Sequence, residues 1–340
     1  MKILIIGGTG LISTPLTQQL LRRGHAVTHL NRGQKAPTPD GVSHLVGDRT
    51  DRLALERAAA TNGKWDAVID MCCYEPADAD SCISAFRGRA AQFVFCSTVD
   101  VYARPTRAFP ITEDEPLGGV SAYGRKKVEC ELRFMRAHAR GDFSVTIIRP
   151  VHTYHDGGAI HNSTLNNAAV LGRLLQGRPI LMHGDGQSLW CAVHAEDCAA
   201  AFVGAIGNPL AAGRAYHTGG VPMTWEQKLR IVAEVFGAPA PAFVHVPTDL
   251  LFAAWPERGR IAQENFQFDN VFDSGRAERE LGYRYTIAWR DGCARMMPVF
   301  LATPGKIADP STDPHYGRVL EAWARHGQAM VKELAAENTR

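Results

Sequence analysis

The stretch "AYGRKK" (122–127) sets a phenol, Tyr123, four positions ahead of an ammonium, Lys127. On a helix such positions share a face, so both groups can enter one cleft. Tyrosine, with a reference pKa of about 10, is a poor base at neutral pH, and a nearby cation favours its phenolate. Paired in this way, the two side chains can move a proton on and off a hydroxyl or carbonyl oxygen. Arg125 and Lys126, in the same run, read as a solvated basic patch.

A second chemical signal stands near the N-terminus. "IIGGTGLIS" places Gly7, Gly8 and Gly10 directly after an apolar run and before a helical pattern, with Leu11 and Ile12 closing the turn. Without Cβ atoms the chain can turn sharply, and a pyrophosphate can approach backbone N–H groups at the helix start. Ser13 stands where a third glycine would allow close helix-to-sheet packing, and a hydroxymethyl is small enough to be tolerated there. About twenty residues further on, a dinucleotide site expects an acid on the adenosine ribose. This chain reads "LNRGQK". Asn31 can still hydrogen-bond a hydroxyl; Arg32, with Lys35 nearby, either meets a 2′-phosphate or is a solvated loop charge. The cofactor expectation is NADP or NAD, with NADP slightly favoured and the dinucleotide tightly bound.

These groups need a scaffold, and the hydrophobic pattern supplies one. Short apolar runs, "KILIIG" (2–7), "AVTHLN" (26–31), "SHLVGD" (43–48), "AVIDMC" (67–72), "QFVFCS" (92–97) and "VTIIRP" (145–150), alternate with helical patterns near 14–23, 52–60, 77–87 and 122–140. Runs this short and apolar suit strands buried on both faces and joined by crossover helices. The expected fold class is α/β, a doubly wound parallel sheet of Rossmann type. After Pro150 the sequence grows richer in Gly, Pro, Asn and His and the alternation fades. Residues 1–170 are therefore read as the dinucleotide-binding domain and 171–340 as a smaller mixed α/β region that mainly binds substrate. "RAYHTGG" (214–220) still reads as a strand and "TWEQKLRIVAEVFG" (224–237) as a helix with a glycine stop, so segments near 190–237 are expected to complete the first sheet. The end, "VLEAWARHGQAMVKELAAENTR", reads as a helix with a frayed tail.

At 340 residues, 45% hydrophobic and 21% charged, the chain has globular composition and enough length for more than one core. A formal charge of +2 gives no electrostatic reason to expect nucleic acid. The eight cysteines lack paired C-x-x-C spacing, which argues against a zinc site or a disulfide framework and for a reducing compartment. The 13 histidines form no H-x-x-x-H or H-E-x-x-H cluster, so no metal is expected. No run reaches about 18 unbroken apolar residues, and the N-terminal run is too short for a signal segment. The expectation is a soluble cytoplasmic protein with small-molecule partners and no membrane.

Taken in order, the glycine turn with Gly7, Gly10 and Ser13, "GDRTD" (47–51), "FCSTVDVYA" (95–103), "YGRKK", "RPVHTY" (149–154), "GDGQSLWCAVHAEDCA" (184–199) and "DSGRAERELGY" (273–283) resemble the extended short-chain dehydrogenase/reductases. The chain looks most like their sugar-nucleotide epimerase/dehydratase branch. The resemblance implies Tyr123 as acid/base, Lys127 as the cation that lowers its pKa and binds the nicotinamide ribose, and Thr98 as the hydroxyl steadying the substrate oxygen. It also implies Asp48 and Arg49 by the adenine, with Met71, Cys72, Cys96 and Val151 lining ribose and nicotinamide. Burial beside the cofactor is the reading for these cysteines, since no cation is positioned by sequence to activate a thiol. Homodimerisation through the helices near 77–87 and 122–140 is implied as well.

Several positions depart from that pattern. Dehydratases of the family follow the threonine with an Asp-Glu pair, whereas here Thr98 precedes Val99 and Asp100, which disfavours dehydration. Asp100 is either a lone acid/base at the substrate or a turn or helix-capping aspartate. The arginines that clamp a substrate diphosphate have no counterpart at Trp190 or in "AQENFQFDN", unless Arg258 or Arg260 replaces them. Trp190 offers a planar face to a sugar or base ring, or is a packed core residue. His152 stands where relatives place a substrate-contacting asparagine, and Tyr154 opens the altered run "YHDGG". His194 and Asp197 read as part of a strand packed on a helix start, with Asp197 capping. The expected activity is an epimerase-type cycle at a secondary hydroxyl of a sugar, nucleoside or sugar-nucleotide, through a transient ketone. The alternative is a net NADPH-dependent reductase or dehydrogenase of a small carbonyl or polyol. A rival of another class is a dinucleotide-sensing, RNA-associated binding protein, against which the low net charge and the intact Thr98, Tyr123 and Lys127 argue.

Overall fold

A computed structural model describes residues 1–34, 39–61 and 63–337, so Lys35 and the last three residues lie outside it. The chain divides into two compact units: one of Met1–His155, Cys191–Val221 and Val271–Ala288, and one of Asp156–Trp190, Pro222–Asn270 and Trp289–Arg340.

In the first unit, β1 (Lys2–Ile6), α1 (Ser13–Arg22), β2 (Ala26–Asn31), β3 (Val42–Val46), α2 (Arg52–Ala60), β4 (Trp65–Asp70), α3 (Pro76–Phe86), β5 (Ala90–Cys96), α4 (Ala122–Ala139) and β6 (Ser144–Pro150) follow in chain order. The runs read as strands are strands, and the helical patterns are helices to within a residue at either end. Local chemistry marks several starts. Asp51 accepts from Leu53 N at the head of α2, Pro76 and a Glu75–Asp78 capping box open α3, and Ser121 Oγ accepts from Gly124 N at the head of α4.

Seven parallel strands form one sheet in the order Arg214–Thr218, β6, β5, β4, β1, β2, β3. Alternate side chains of β1 enter two separate cores. Ile3 and Ile5 pack with Leu16 and Leu20 of α1 and Phe202, while Leu4 and Ile6 pack with Leu55 of α2, Phe86 of α3 and Phe134 of α4. This two-sided burial is why β1 is apolar from Ile3 to Ile6.

The strand order reverses at β1, whose neighbours are β2 on one side and β4 on the other. In open α/β sheets a crevice forms outside the carboxyl ends of the strands at such a point. Register aligns those ends: Ile6 pairs with Leu30 and Asp70, and Asp70 with Phe95. The next residues, Gly7, Asn31, Met71 and Cys96, therefore stand in one row.

The second unit contains the parallel pair Ile180–His183 and Phe243–Val246, the antiparallel pair Leu189–Trp190 and Met223–Thr224, and helices that include Ala168–Leu175, Trp225–Val235, Trp289–Ala302 and Pro314–Glu337. Trp225 and Trp289 are fully buried in it. Among the described residues no helix is long and apolar enough to cross a membrane.

Candidate active site

Above that row of strand ends, within the first unit, lies a cavity of about 760 Å³. At one end is the glycine turn. Gly7 has φ +85°, a left-handed conformation that favours glycine, and a Cβ on it would lie 2.9 Å from Cys72 Sγ. A Cβ on Gly8 would fall 2.3 Å from the His29 ring, which is buried beneath the turn and pushed down to about 4 by that burial. Ser13 does more than fit in place of a glycine: its hydroxyl donates to Gly7 O and accepts from Gly10 N, both at 2.7 Å, pinning the turn to the head of α1. The cap residue Ile12 offers no side-chain acceptor, and the first turn of α1 carries no acid. The helix therefore presents an uncompensated positive end to the cavity.

Asn31 Oδ1 accepts from Gly33 N at 2.9 Å and bonds His44 Nε2 at 2.7 Å. That leaves the buried Nδ2 donor of Asn31 with no hydrogen-bond partner. Arg32 is over half exposed, its Nη1 3.9 Å from Asp48 Oδ2. Asp48 lines the cavity and accepts from the backbone and side chain of Thr50, bonds that lower its pKa below the usual carboxylate value. Arg49 also lines the cavity, but its guanidinium is spent on two carboxylates, Asp70 at 2.5 Å and Asp78 at 2.6 Å. Met71 and Cys72 also line the cavity wall. A glycine turn, an uncompensated helix start and an orphaned amide donor in one cleft fit a dinucleotide.

At the other end stand Thr98, Tyr123 and Lys127. Thr98 Oγ1 accepts from Asp100 N at 3.2 Å, and its hydroxyl is hydrogen-bonded to Tyr123. Lys127 is 1% exposed; its Nζ donates to Cys96 O at 2.8 Å and lies 4.8 Å from the ring centre of Phe95, 5.0 Å from that of Tyr74 and 5.8 Å from that of Tyr123. Burial raises the Tyr123 phenol above its usual value, helped by Cys96, Tyr74 and Asp100, while the Thr98 bond opposes the rise. Burial also pushes the Cys72 thiol up to about 12 and Cys96 up to about 11, so both stay protonated at neutral pH.

Asp100 is engaged behind this end. Its carboxylate accepts from Ser121 Oγ, which in turn caps α4 through Gly124 N. Pro150, Val151 and Thr153 line the cavity, whereas the alternate positions His152 and Tyr154 do not, as expected of successive residues along an extended strand. Tyr154 is buried against His194, and His152 is half-buried. Asp197 accepts from Thr286 N at 2.8 Å and Ile287 N at 2.9 Å.

Trp190 belongs to the second unit, where it is 8% exposed and stacked 4.5 Å from Trp225, with Phe266 at its edge. In the same unit Arg258 Nη1 reaches Thr164 O at 3.4 Å, and Arg260 lies 3.8 Å from Glu264.

Tyr74 belongs to none of the sequence motifs, yet it is half exposed on the cavity wall with its ring beside the Lys127 ammonium. A clue exists in the sequence: an aromatic four residues past the end of a buried strand, on the side of the sheet where ligands bind.

A family model described as the NAD dependent epimerase/dehydratase family matches residues 3–219. The chain is 29% identical to the 2'-dehydrokanamycin reductase of Streptomyces kanamyceticus, over 91% of this chain and 87% of that protein. It is 28% identical to a UDP-glucose 4-epimerase of Mycolicibacterium smegmatis, over 88% of this chain and 98% of that one. A UDP-glucose 4-epimerase of Bifidobacterium longum, solved with NAD+ and UDP, shares the fold with a TM-score of 0.69 at 20% identity, covering 90% of this chain and all of that one. With the family match running from β1 through the strand Arg214–Thr218 that completes the sheet, this chain belongs to the NAD dependent epimerase/dehydratase family and is an enzyme of that type.

Proposed function

We propose that this enzyme oxidises and re-reduces a secondary hydroxyl of a sugar-like substrate, with Tyr123 as the proton carrier and epimerisation as the outcome. The observation that carries this reading is that Thr98, Tyr123 and Lys127 meet at one end of a cavity whose other end is the glycine turn. In this reading the turn, Leu11 and Ile12 hold the pyrophosphate, and Asp48 and Arg49 stand by the adenine. Met71, Cys72, Cys96 and Val151 line the ribose and nicotinamide. A nicotinamide dinucleotide supplies a hydride acceptor and donor when bound. Thr98 orients the substrate oxygen, Tyr123 takes its proton as the alcohol becomes a ketone, and Lys127 positions the ribose while its charge favours the phenolate. Re-reduction on the ketone's opposite face inverts the carbon. Dehydration is disfavoured because Val99 replaces one acid of the expected pair and the Asp100 carboxylate is occupied by Ser121. His152 and Tyr154 support the substrate end from behind Val151 and Thr153, and Trp190, stacked on Trp225 within the second unit, is a packed core residue rather than an open stacking face.

The exposed Arg32 offers a cation toward a ribose 2′-position, which supports NADP over NAD, while the orphaned Asn31 amide can serve a 2′-hydroxyl or a 2′-phosphate alike. Arg32→Ala is expected to weaken NADP binding at least tenfold while leaving NAD nearly unchanged, about 1.4 kcal/mol or more of lost phosphate contact. Isothermal titration with each nucleotide reads this directly, and equal effects on the two would remove the role assigned to Arg32.

A second reading, net reduction of a ketone with NADPH, is favoured by the likeness to a reductase of 2'-dehydrokanamycin over nine-tenths of the chain and by the missing diphosphate clamps. Denaturing protein purified without added cofactor and weighing the released nucleotide separates the two. Stoichiometric nucleotide supports the internal cycle; an empty protein that turns over only with added NADPH supports the reductase. A cytoplasmic setting suits both, since all eight cysteines are free thiols.

A further inference from the structure

The helix Pro314–Glu337 has two halves with different surroundings. Its first turns are anchored in the second unit: Tyr316 and Leu320 are buried, Leu181 N donates to Tyr316 Oη at 2.6 Å, and the Arg173 guanidinium covers the Tyr316 ring. The apolar stripe that begins there does not stop. Tyr316, Leu320, Trp323, Gly327, Met330 and Leu334 recur at alternating spacings of four and three, the a/d pattern of a coiled-coil seam. Beyond Trp323 the stripe faces solvent, with Met330 58%, Val331 62% and Leu334 51% exposed, and a Cβ at Gly327 would meet nothing within 4 Å. A large apolar stripe left in water marks an interaction surface.

We propose that the exposed half of this helix pairs antiparallel with the same helix of a second copy of this chain. The sequence of the stripe is complementary to itself about a two-fold axis between Gln328 and Ala329. In that register the bare Gly327 receives Met330 of the second copy, Trp323 meets Leu334, and Ala324 faces Val331, so each bulky group lands against a smaller or flexible one. On the flank His326 lies against Glu333 of the second copy, an attractive pair repeated twice by the symmetry. Arg325 and Lys332 remain on the outer face, away from the seam. Twelve residues of seam, from Trp323 to Leu334, span about 18 Å, shorter than a stable dimer normally uses, so micromolar association is expected. This contact is separate from a dimer through α3 and α4 and does not rest on the proposed reaction.

The test is sedimentation velocity of the full chain from roughly 2 to 200 micromolar, a range that brackets such an affinity. The mass is expected to double across that range from monomer, and at least to double from a dimer held elsewhere, which carries two such helices. Met330→Glu with Leu334→Glu, both at exposed positions, should abolish that doubling while leaving the circular dichroism spectrum and nucleotide binding as they were. Register is read by mild oxidation of Gly327→Cys and Met330→Cys variants. A cross-link that forms several-fold faster in the mixture than in either variant alone supports the antiparallel seam. A doubling that survives the glutamate substitutions, no doubling at all, or cross-links as fast within each variant as between them would overturn the proposal.

Discussion

Tyr123 and Lys127 are where spacing and surroundings give different accounts of one pair. Four residues apart on a helix, they share a cleft as expected, but the Lys127 ammonium bonds Cys96 O and lies among three aromatic rings, 5.8 Å from the Tyr123 ring centre. Desolvation of the hydroxyl, with Cys96, Tyr74 and Asp100 adding to it, holds the phenol above its usual value of about 10. A protonated phenol is ready to give its proton to a ketone oxygen, whereas alcohol oxidation needs the phenolate. Oxidation should therefore accelerate with rising pH up to at least about 10, while reduction stays level across the same range. Tyr123→Phe is expected to lower kcat on the order of 100- to 10,000-fold with little change in nucleotide affinity. Loss of nucleotide binding in that variant would mean the phenol serves the cofactor rather than the substrate proton. At Tyr74 the ring matters more than the hydroxyl, because the ring is what faces Lys127. Tyr74→Phe should leave kcat within about twofold, while Tyr74→Leu, which removes a cation–π contact, should raise KM or shift the pH profile. Equal kinetics in both variants would assign Tyr74 no part in the site.

At the scale of elements, the reacting end depends on how α4 begins. Thr98 accepts from Asp100 N, Asp100 accepts from Ser121 Oγ, and Ser121 accepts from Gly124 N, so the turn after β5 is tied to the helix that carries Tyr123. Gly124 is required for this approach: a Cβ there would sit 2.2 Å from Asp100 O, a backbone atom that cannot rotate away. Gly124→Ala should cost roughly 1–3 kcal/mol of stability and also depress kcat, since relieving the clash moves Thr98 and Tyr123 apart. Thermal melting and steady-state kinetics check both halves, and a variant with wild-type values in each would show that the contact relaxes freely. The strands of the first sheet were legible because burial on both faces leaves runs such as "ILII" (3–6) apolar at every position. The two- to four-residue strands Leu189–Trp190, Met223–Thr224 and Ile180–His183 are too short to show any period, and the tertiary pairing alone defines them.

For the whole molecule, two units are threaded from alternating segments, and the second holds a liability of its own. Lys228 is buried with its ammonium among Trp190, Trp225 and Trp289, its Nζ has no hydrogen-bond partner, and burial pushes it down to about 7. Between about pH 10 and pH 7 the unfolded chain holds a proton on this lysine that the folded chain does not. Stability therefore falls as pH drops through that window, and below it the penalty is constant. Lys228→Met should raise the melting temperature at pH 7 and flatten its dependence from pH 7 to about 10. A lower melting temperature at pH 7 would instead make the three cation–π contacts the dominant effect. The amino-acid sequence by itself determined the doubly wound sheet, the glycine turn and the Tyr123–Lys127 spacing, because buried strands, tight turns and helix faces each impose a local pattern that survives in one dimension. Only the tertiary structure decided that Arg49 is consumed by Asp70 and Asp78, that Asp100 backs Ser121, that Trp190 is packed on Trp225, and that Tyr74 reaches Lys127. Each of those joins residues from separate elements, and which polar group satisfies which depends on packing distance rather than on position in the chain.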